Sequence, residues 1–232
     1  LITCDAQHMK DQILEFGVSK NRIKIINFGI DTEQFSPKPA NFGLRKKMKI
    51  KEGFTIISTR NFEPVYDLKT LVLAMPDILN KFPNVNFVLI GQGSQEKELK
   101  DLVKELKIES SVFFPGFISN TDLPQLLNSS DIYISTSLSD AGIAASTAEA
   151  MACGVPVVIT DTGENREWIK NGETGYLVPP SDPLKLAEAI QNIILKPKEI
   201  KKVGLAGRKT ISDHNDYKTE MAKVDKLYRL LV

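Results

Sequence analysis

The feature that most constrains the fold of this chain is an alternation of short apolar runs with amphipathic helical segments. Apolar runs bounded by polar or glycine-rich turns predict strands. Apolar residues recur at spacings of three and four over residues 68–82, which predicts a helix with one buried face. Strands that alternate with helices indicate a parallel sheet covered on both faces. The sequence therefore predicts an α/β fold with a Rossmann-like, doubly wound parallel sheet. The predicted strands are 2–4, 23–26, 54–58, 87–90, 112–114, 132–135, 155–160 and 175–178.

The stretch 139–160 contains almost no charge and predicts a loop over 140–144, a helix over 145–152, a turn at Gly154 and a buried strand. A loop of small residues before a helix leaves backbone N–H groups free, which suits a phosphate. Glu149 is the only carboxylate in the predicted helix. A buried carboxylate needs a polar partner. We therefore expect a phosphate-and-sugar site in which Glu149 accepts hydrogen bonds.

Other candidate residues directly follow predicted strands, whose carboxyl ends form the usual ligand crevice of such sheets. Arg60 ends the run F-T-I-I-S-T-R and can bind a diphosphate; the alternative is a surface salt bridge. Gly91 and Gly93 lie in G-Q-G-S, a weak signal without the full dinucleotide fingerprint. Phe117 and Ile118 follow a glycine turn that can line a base pocket or be only a turn.

Two further sequence signals concern the ends of helices. The segment D-T-G-E-N-R-E from Asp161 predicts a second anion-binding turn or, alternatively, a capped surface helix. Near the start of the chain, Asp5 is a plausible N-cap for a helix that extends to about Phe16. Residues 36–41 predict a surface loop.

Composition narrows the class of protein. A net charge of +1 over 232 residues gives no reason to expect that the protein binds nucleic acid. The sequence has no Walker-type loop, no C-x-x-C, no His pair at metal spacing and no Asp-x-Asp, so we expect no metal and no cofactor. Two widely separated cysteines and no visible secretory signal favour a reduced, cytoplasmic protein. Because the chain starts at Leu1 in a predicted strand, we expect a piece of a longer polypeptide.

Several motifs, taken in their order and spacing, give the chain a family resemblance. They are N-F-G-I-D-T-E-Q-F, the strand ending in Arg60, I-G-Q-G-S, F-P-G-F-I, E-A-M-A-C-G-V-P-V-V, N-G-E-T-G-Y-L-V-P-P-S-D-P and L-A-E-A-I. Across nearly its whole length the chain resembles the C-terminal, donor-binding domain of GT-B glycosyltransferases, in particular the retaining family 4 (group 1) enzymes. The resemblance implies the C-terminal half of a GT-B fold.

The resemblance also implies roles for single residues. Glu149 would bind the donor ribose, and Arg60 would contact phosphate. The backbone of the loop before Glu149 would bind the diphosphate through Gly142, Ile143, Ala144 and Ala145. Two departures stand out: the family's second acid would fall at Ala141, with Asp140 one residue early, and the family lysine is missing, which leaves Lys69 as a substitute. Asp140 and Lys69 are therefore further candidates.

The implied organisation is an inter-domain entry segment (1–35), a nucleotide-sugar-binding domain (36–212) and a C-terminal helix (213–232) that packs toward an absent N-terminal, acceptor-binding domain. The implied activity is metal-independent transfer of a sugar from a nucleotide-diphosphate donor to an acceptor hydroxyl with retention. This chain alone would bind the nucleotide sugar without transferring it, and any peripheral membrane contact would come through the absent domain. Two alternatives stay open: a degenerate binding domain without transfer activity, and a sugar-nucleotide epimerase.

Overall fold

The structure is a computed structural model that describes residues 1–229, apart from the side chain of Phe42. It contains a two-stranded and a six-stranded sheet, both parallel. The strands are β1 (Ile2–Cys4), β2 (Ile23–Ile25), β3 (Thr55–Ser58), β4 (Asn86–Leu89), β5 (Val112–Phe113), β6 (Ile132–Ser135), β7 (Val157–Thr160) and β8 (Tyr176–Val178). The predicted α/β fold with a parallel sheet is confirmed.

The large sheet has the strand order β5-β4-β3-β6-β7-β8. The chain runs outward from β3 to β5 and then returns to the other side of β3 with β6, where Ile56 pairs with Ile132. Strand order therefore reverses between β3 and β6. In open α/β sheets this switch point opens a crevice at the carboxyl ends of the strands.

Ten α-helices surround the sheets within residues 1–229. They are α1 (Gln7–Glu15), α2 (Phe42–Lys47), α3 (Leu68–Lys81), α4 (Glu96–Glu105), α5 (Leu123–Leu127), α6 (Ala145–Ala152), α7 (Asn165–Trp168), α8 (Pro183–Ile194), α9 (Pro197–His214) and α10 (Tyr217–Arg229). The predicted helix over 145–152 has the bounds of α6. Leu231, which the sequence placed on the last helix, lies outside the described residues.

Side chains that alternate along β3 supply the two cores, one on each face of the sheet. Ile56 packs in the cluster that contains Leu71 and Met75 of α3. Ile57 packs in the opposite cluster, which contains Leu126 of α5 and Met151 of α6. This double burial explains why the strands of the large sheet are apolar on both faces.

The start of α1 corrects one sequence prediction. Asp5 is not the N-cap; the N-cap is Ala6, whose side chain makes no capping hydrogen bond. Glu164, 157 residues after Gln7 in the sequence, accepts hydrogen bonds from the backbone N–H groups of Gln7 at 3.2 Å and His8 at 2.6 Å and so caps the helix. The acid that satisfies this helix end is therefore a tertiary contact, which local sequence cannot reveal.

Two further segments lie outside the sheet core. Helix α2 was not predicted, although Asn41 caps it by accepting a hydrogen bond from the Leu44 N–H. The end of α9 and the start of α10 contact the segment after β2: Asn215 accepts hydrogen bonds from the Gly29 and Ile30 N–H groups. Gly29 has the predicted left-handed conformation, with φ of 75°.

The apolar stretch 141–160 divides between α6 and β7, separated by a turn at Gly154. In the part of the chain that the structure describes, no helix is both long and apolar enough to span a bilayer.

Candidate functional site

The candidate site lies at the switch point, where the loops after β3 and β6 meet the start of α6. Arg60 follows β3, and Ser137 and Asp140 follow β6. Side chains three residues apart share a helix face, so Ser146 and Glu149 lie on one face of α6. The fold thus brings the candidates Arg60 and Asp140 together beside the helix that carries Glu149.

Arg60 is buried, and both terminal nitrogens of its guanidinium hydrogen-bond to neighbouring side chains. Its Nη2 donates to Asp140 Oδ1 at 2.6 Å and to Ser137 Oγ at 3.2 Å, and its Nη1 donates to Ser146 Oγ at 3.3 Å. The guanidinium also stacks on the ring of Tyr66, 4.1 Å from the ring centroid. From the sequence, Arg60 was expected to bind a diphosphate or to form a surface salt bridge. The structure shows a salt bridge that is buried, with side-chain exposures of 9% for Arg60 and 6% for Asp140.

Buried hydroxyl groups hold this cluster in place. Tyr133 on β6 donates to Ser146 Oγ at 2.8 Å, and burial raises the pKa of its phenol, so it stays a donor. Thr136 Oγ1 donates to the Tyr66 carbonyl at 3.0 Å, and Thr160 Oγ1 donates to the Ser137 carbonyl. The loops after β3, β6 and β7 are therefore tied to one another below the crevice.

The side chain of Glu149 has a different environment from that of Arg60. Its side chain is half-buried on α6, and no donor among residues 1–229 hydrogen-bonds to its carboxyl group. Burial raises the pKa of Glu149 from 4.5 to about 7. The carboxyl group can therefore accept or donate a hydrogen bond near neutral pH, and no described residue is its partner.

The start of α6 offers backbone donors. Its N-cap is Ala144, which has an extended backbone and no side-chain acceptor, so the first N–H groups of the helix, beginning at Ala145, lack a cap. Gly142 is buried with φ of 65°, a conformation that favours glycine, and Ile143 packs into the core. The predicted loop thus leads into an uncapped helix N-terminus next to Arg60.

Gly91 and Gly93 have a packing role that the sequence did not indicate. A Cβ atom at Gly91 would lie 2.5 Å from the Arg60 carbonyl oxygen, and one at Gly93 would lie 2.3 Å from the Phe62 carbonyl oxygen. Phe62 is buried and hydrogen-bonds through its N–H to the Gln92 carbonyl at 2.9 Å. The two glycines therefore allow the loop after β4 to lie directly against the loop that carries Arg60.

The remaining candidates lie at the edge of the cluster or apart from it. Phe117 is 76% exposed, after Gly116 with φ of 76°. Ile118 is partly buried against the core. Lys69 does not join the Arg60 cluster, because its Nζ lies 3.2 Å from Glu98 Oε1 on the exposed face of α4.

The second anion-binding turn at 161–167 stays a prediction. Its acids already have partners within the protein: Asp161 binds Arg166, whose hydrogen bonds lower the Asp161 pKa, and Glu164 caps α1. The alternative, a capped surface helix, holds in part: α7 is a four-residue helix with Glu167 exposed in its first turn, but its N-cap Glu164 makes no side-chain capping hydrogen bond. In residues 1–229 no group of three His, Cys, Asp or Glu side chains is placed to hold a metal ion.

Sequence reasoning missed Tyr66, Tyr133, Ser137 and Ser146. Ser137 and Ser146 lie within or next to segments singled out from the sequence, and Tyr133 lies on the strand before them. A search for polar side chains at the ends of the two strands that flank a switch point would have found Ser137.

Comparison with known proteins gives a consistent result. The sequence model of the family described as glycosyl transferases group 1 matches residues 43–210. EpsD of Bacillus subtilis (strain 168), named as a glycosyltransferase, is 30% identical over 210 residues, which cover 88% of this chain and 54% of EpsD. A GDP-mannose-dependent alpha-(1-6)-phosphatidylinositol monomannoside mannosyltransferase of Mycolicibacterium smegmatis is 25% identical over 206 residues, covering 86% of this chain and 54% of that protein. The chain spans about half the length of these relatives.

Among solved structures, Alr3699/HepE of Anabaena in complex with UDP-glucose superimposes with a TM-score of 0.89. It is 24% identical, and the match covers 99% of this chain and 63% of that one. This likeness concerns the fold.

Proposed function

The chain belongs to the glycosyl transferases group 1 family, and we propose that it is the donor-binding half of a retaining glycosyltransferase that takes a nucleotide-diphosphate sugar. The observation that carries this proposal is Glu149, a half-buried carboxyl group without a donor in the described residues, one helix turn from the Arg60 cluster. Group 1 relatives and neighbours bound to UDP or UDP-glucose support a nucleotide-sugar ligand.

We assign the ribose to Glu149, because vicinal hydroxyl groups supply the donors that its carboxyl group lacks. The diphosphate lies at the uncapped start of α6, where the N–H groups of Ala145 and its neighbours and the helix dipole favour negative charge. Gly142, Ile143 and Ala144 form the approach to this helix end. The exposed ring of Phe117, with Ile118 beside it, offers a stacking surface for the base.

In the proposed reaction, the bond between the anomeric carbon and the diphosphate oxygen breaks, the acceptor oxygen bonds to the anomeric carbon, and the acceptor's proton passes to the departing diphosphate. Negative charge grows on the departing diphosphate. The Arg60 guanidinium and the α6 N–H groups stabilise that charge, which lowers the barrier to bond cleavage. Because a fixed cation and backbone amides supply this stabilisation, the proposal includes no metal and no cofactor.

We propose the division 1–35, 36–212 and 213–232, in which the last helix leads toward an acceptor-binding domain. The acceptor would then contact that second domain, and this chain alone would bind the donor without transferring the sugar. A cytoplasmic location, and membrane contact made through the second domain, belong to the same proposal. The length of the curated relatives, about twice this chain, supports it.

A second candidate is a sugar-nucleotide-binding module without transfer activity. The observations that favour it are Ala141 at the position of the family's second acid and the engagement of Arg60 by Asp140. Hydrolysis of the sugar donor by the full-length protein, if it is lost in Arg60→Ala, would exclude this candidate.

The test of the proposed site is calorimetry with UDP, GDP and ADP on the wild-type chain, on Glu149→Ala and on Glu109→Ala, an exposed glutamate on another face. We expect one nucleoside diphosphate to bind the wild-type chain. Glu149→Ala should weaken this binding at least about tenfold, which corresponds to the ~1.4 kcal/mol of a lost hydrogen bond to a charged group. Glu109→Ala should leave the affinity unchanged. Absence of binding at millimolar concentration, or equal affinity in all three proteins, would show that the site is wrongly assigned.

A further inference from the structure

Three of the five N–H donors of Arg60 are occupied within the protein. Both terminal nitrogens of its guanidinium donate hydrogen bonds, and Nη2 makes its shortest contact, 2.6 Å, with Asp140 Oδ1. Its Nε is buried and has no partner among the described residues. A diphosphate that binds Arg60 through Nη2 must therefore replace a contact that the protein itself provides.

Asp140 and a phosphate group compete for the same geometry. A guanidinium presents its N–H groups as a planar fork that binds the oxygens of carboxylates and phosphates alike. The Asp140 Oδ1 lies where a phosphate oxygen would have to lie to accept from Nη2. Since both anions are negative and the site is buried, they also repel each other when both are close to Arg60.

The contacts of Asp140 would allow its carboxyl group to move away from Arg60. Its main chain is fixed, because Gly163 packs so closely on it that a Cβ atom there would lie 2.3 Å from the Asp140 carbonyl oxygen. Among the described residues its carboxyl group hydrogen-bonds through one oxygen, Oδ1, to Arg60 Nη2 and to Ser137 Oγ at 3.2 Å. Rotation of the side chain therefore releases Oδ1 without moving the loop backbone.

We propose that Asp140 is a displaceable counter-ion of Arg60: it neutralises the guanidinium while the site is empty and yields it when the diphosphate binds. This inference rests on the proposed function and adds a residue that sets the affinity for the donor and its nucleotide product. Asp140 weakens binding, and it keeps a buried cation paired between turnovers.

The opposite role would be a fixed support, in which Asp140 orients Arg60 toward the ligand and stays bound to it. The two roles predict changes of opposite sign. Removal of the charge of a counter-ion frees Arg60 and tightens nucleotide binding, whereas removal of a support loosens Arg60 and weakens it.

The experiment measures the affinity of UDP, GDP and ADP by calorimetry in wild type, Asp140→Asn, Arg60→Met and the double variant. We expect Asp140→Asn to bind the preferred nucleotide about tenfold more tightly, the scale of one charge interaction in a partly buried site. In the Arg60→Met background the same change should tighten binding far less, because no guanidinium remains to be released. Asp213→Asn, which removes an acid from an exposed pair on α9, serves as the charge control and should have no effect.

Affinity that Asp140→Asn leaves unchanged or weakens would overturn the inference, and so would equal tightening with and without Arg60, which would show simple repulsion. If neither wild type nor any variant binds a nucleotide, the proposed function itself fails.

Should Asp140→Asn not fold, the wild-type chain still gives the answer by NMR of side-chain carboxyl carbons. Saturation with the nucleotide should shift the Asp140 signal as its contact with Arg60 is lost. An Asp140 signal that does not move while the Glu149 signal does would contradict the inference.

Discussion

Two ionisable side chains of the crevice, Arg60 and Glu149, have opposite environments. Arg60 has a counter-ion, two hydroxyl partners and an aromatic face. Glu149, on the helix whose Ser146 contacts Arg60, has no donor among the described residues. A buried charge without a partner is costly, whereas a paired one costs much less. This difference supports the proposal that Asp140 pairs Arg60 while the site is empty and that Glu149 stays available for a ligand.

We expect the largest loss of stability from removal of the positive charge of Arg60. In Arg60→Met, Asp140 is left buried without its partner, and we expect the free energy of unfolding to fall by about 3–5 kcal/mol. Urea unfolding at pH 7 measures the change. The double variant with Asp140→Asn, which removes both charges, should regain much of the loss. A loss below ~1 kcal/mol, the value typical of exposed pairs, would mean that the pair is effectively solvated.

Removal of the charge of Glu149 should raise the free energy of unfolding, whereas removal of the charge of Arg60 lowers it. Its pKa is raised from 4.5 to about 7 in the folded protein, so the folded state binds the proton more tightly than the unfolded chain. The wild-type protein therefore loses stability as pH rises from about 4.5 to about 7, and the full cost is present above pH 7. We expect Glu149→Gln to be more stable than wild type at pH 8, by up to about 3 kcal/mol.

Urea unfolding at pH 5 and pH 8 checks this, since the advantage of the glutamine variant should shrink toward the lower pH. An advantage that does not depend on pH would show that Glu149 keeps an ordinary pKa. The same variant with nucleotide present should lose part of its advantage, because ligand donors then satisfy the wild-type carboxylate.

The sequence predicted one half of this contrast. The bounds of α6, its uncapped start and the isolation of Glu149 follow from local composition, because each depends on residues within one helical turn. The partner of Arg60 could not be assigned, since Asp140 is 80 residues away and meets it only after β3 and β6 pair. For the same reason Asp5 was wrongly taken as the cap of α1: the acid that serves there, Glu164, is more than 150 residues away.

Not every miss was a matter of distance. Helix α2 has a local signal, Asn41 as its N-cap, but it follows a proline-rich segment and has only six residues. The loop packing that requires Gly91 and Gly93 could not be read from the sequence, where a glycine pair after a strand equally indicates a ligand loop.

Glu164 is a third carboxylate, and unlike Glu149 it accepts hydrogen bonds from described residues of the protein. Burial raises the pKa of Glu164, but hydrogen bonds from the His8 backbone and ring and from Gln7 outweigh burial, so the pKa is lowered overall. A lowered pKa means that Glu164 stabilises the fold above pH 4.5 and that this contribution is lost as pH falls through the lower, folded-state pKa. We expect Glu164→Gln to lose about 1 kcal/mol at pH 7, as for a helix cap.

The difference between Glu164→Gln and wild type should vanish in strong acid, the reverse of the trend for Glu149→Gln. Glu167→Gln, which alters an exposed neighbour, is the control for this measurement. A stabilising effect of Glu164→Gln at pH 7 would show that the α1 cap does not contribute to the fold.

The strand order also has a consequence for the way the chain folds. Strands β3 and β6 are neighbours in the centre of the sheet, yet two other strands and three helices separate them in the chain. Closing so long a loop is slow, and a contact of this kind forms late. We therefore expect the pairing of Arg60 with Asp140 to form late, and its formation rate in refolding experiments should coincide with the slowest gain of native structure.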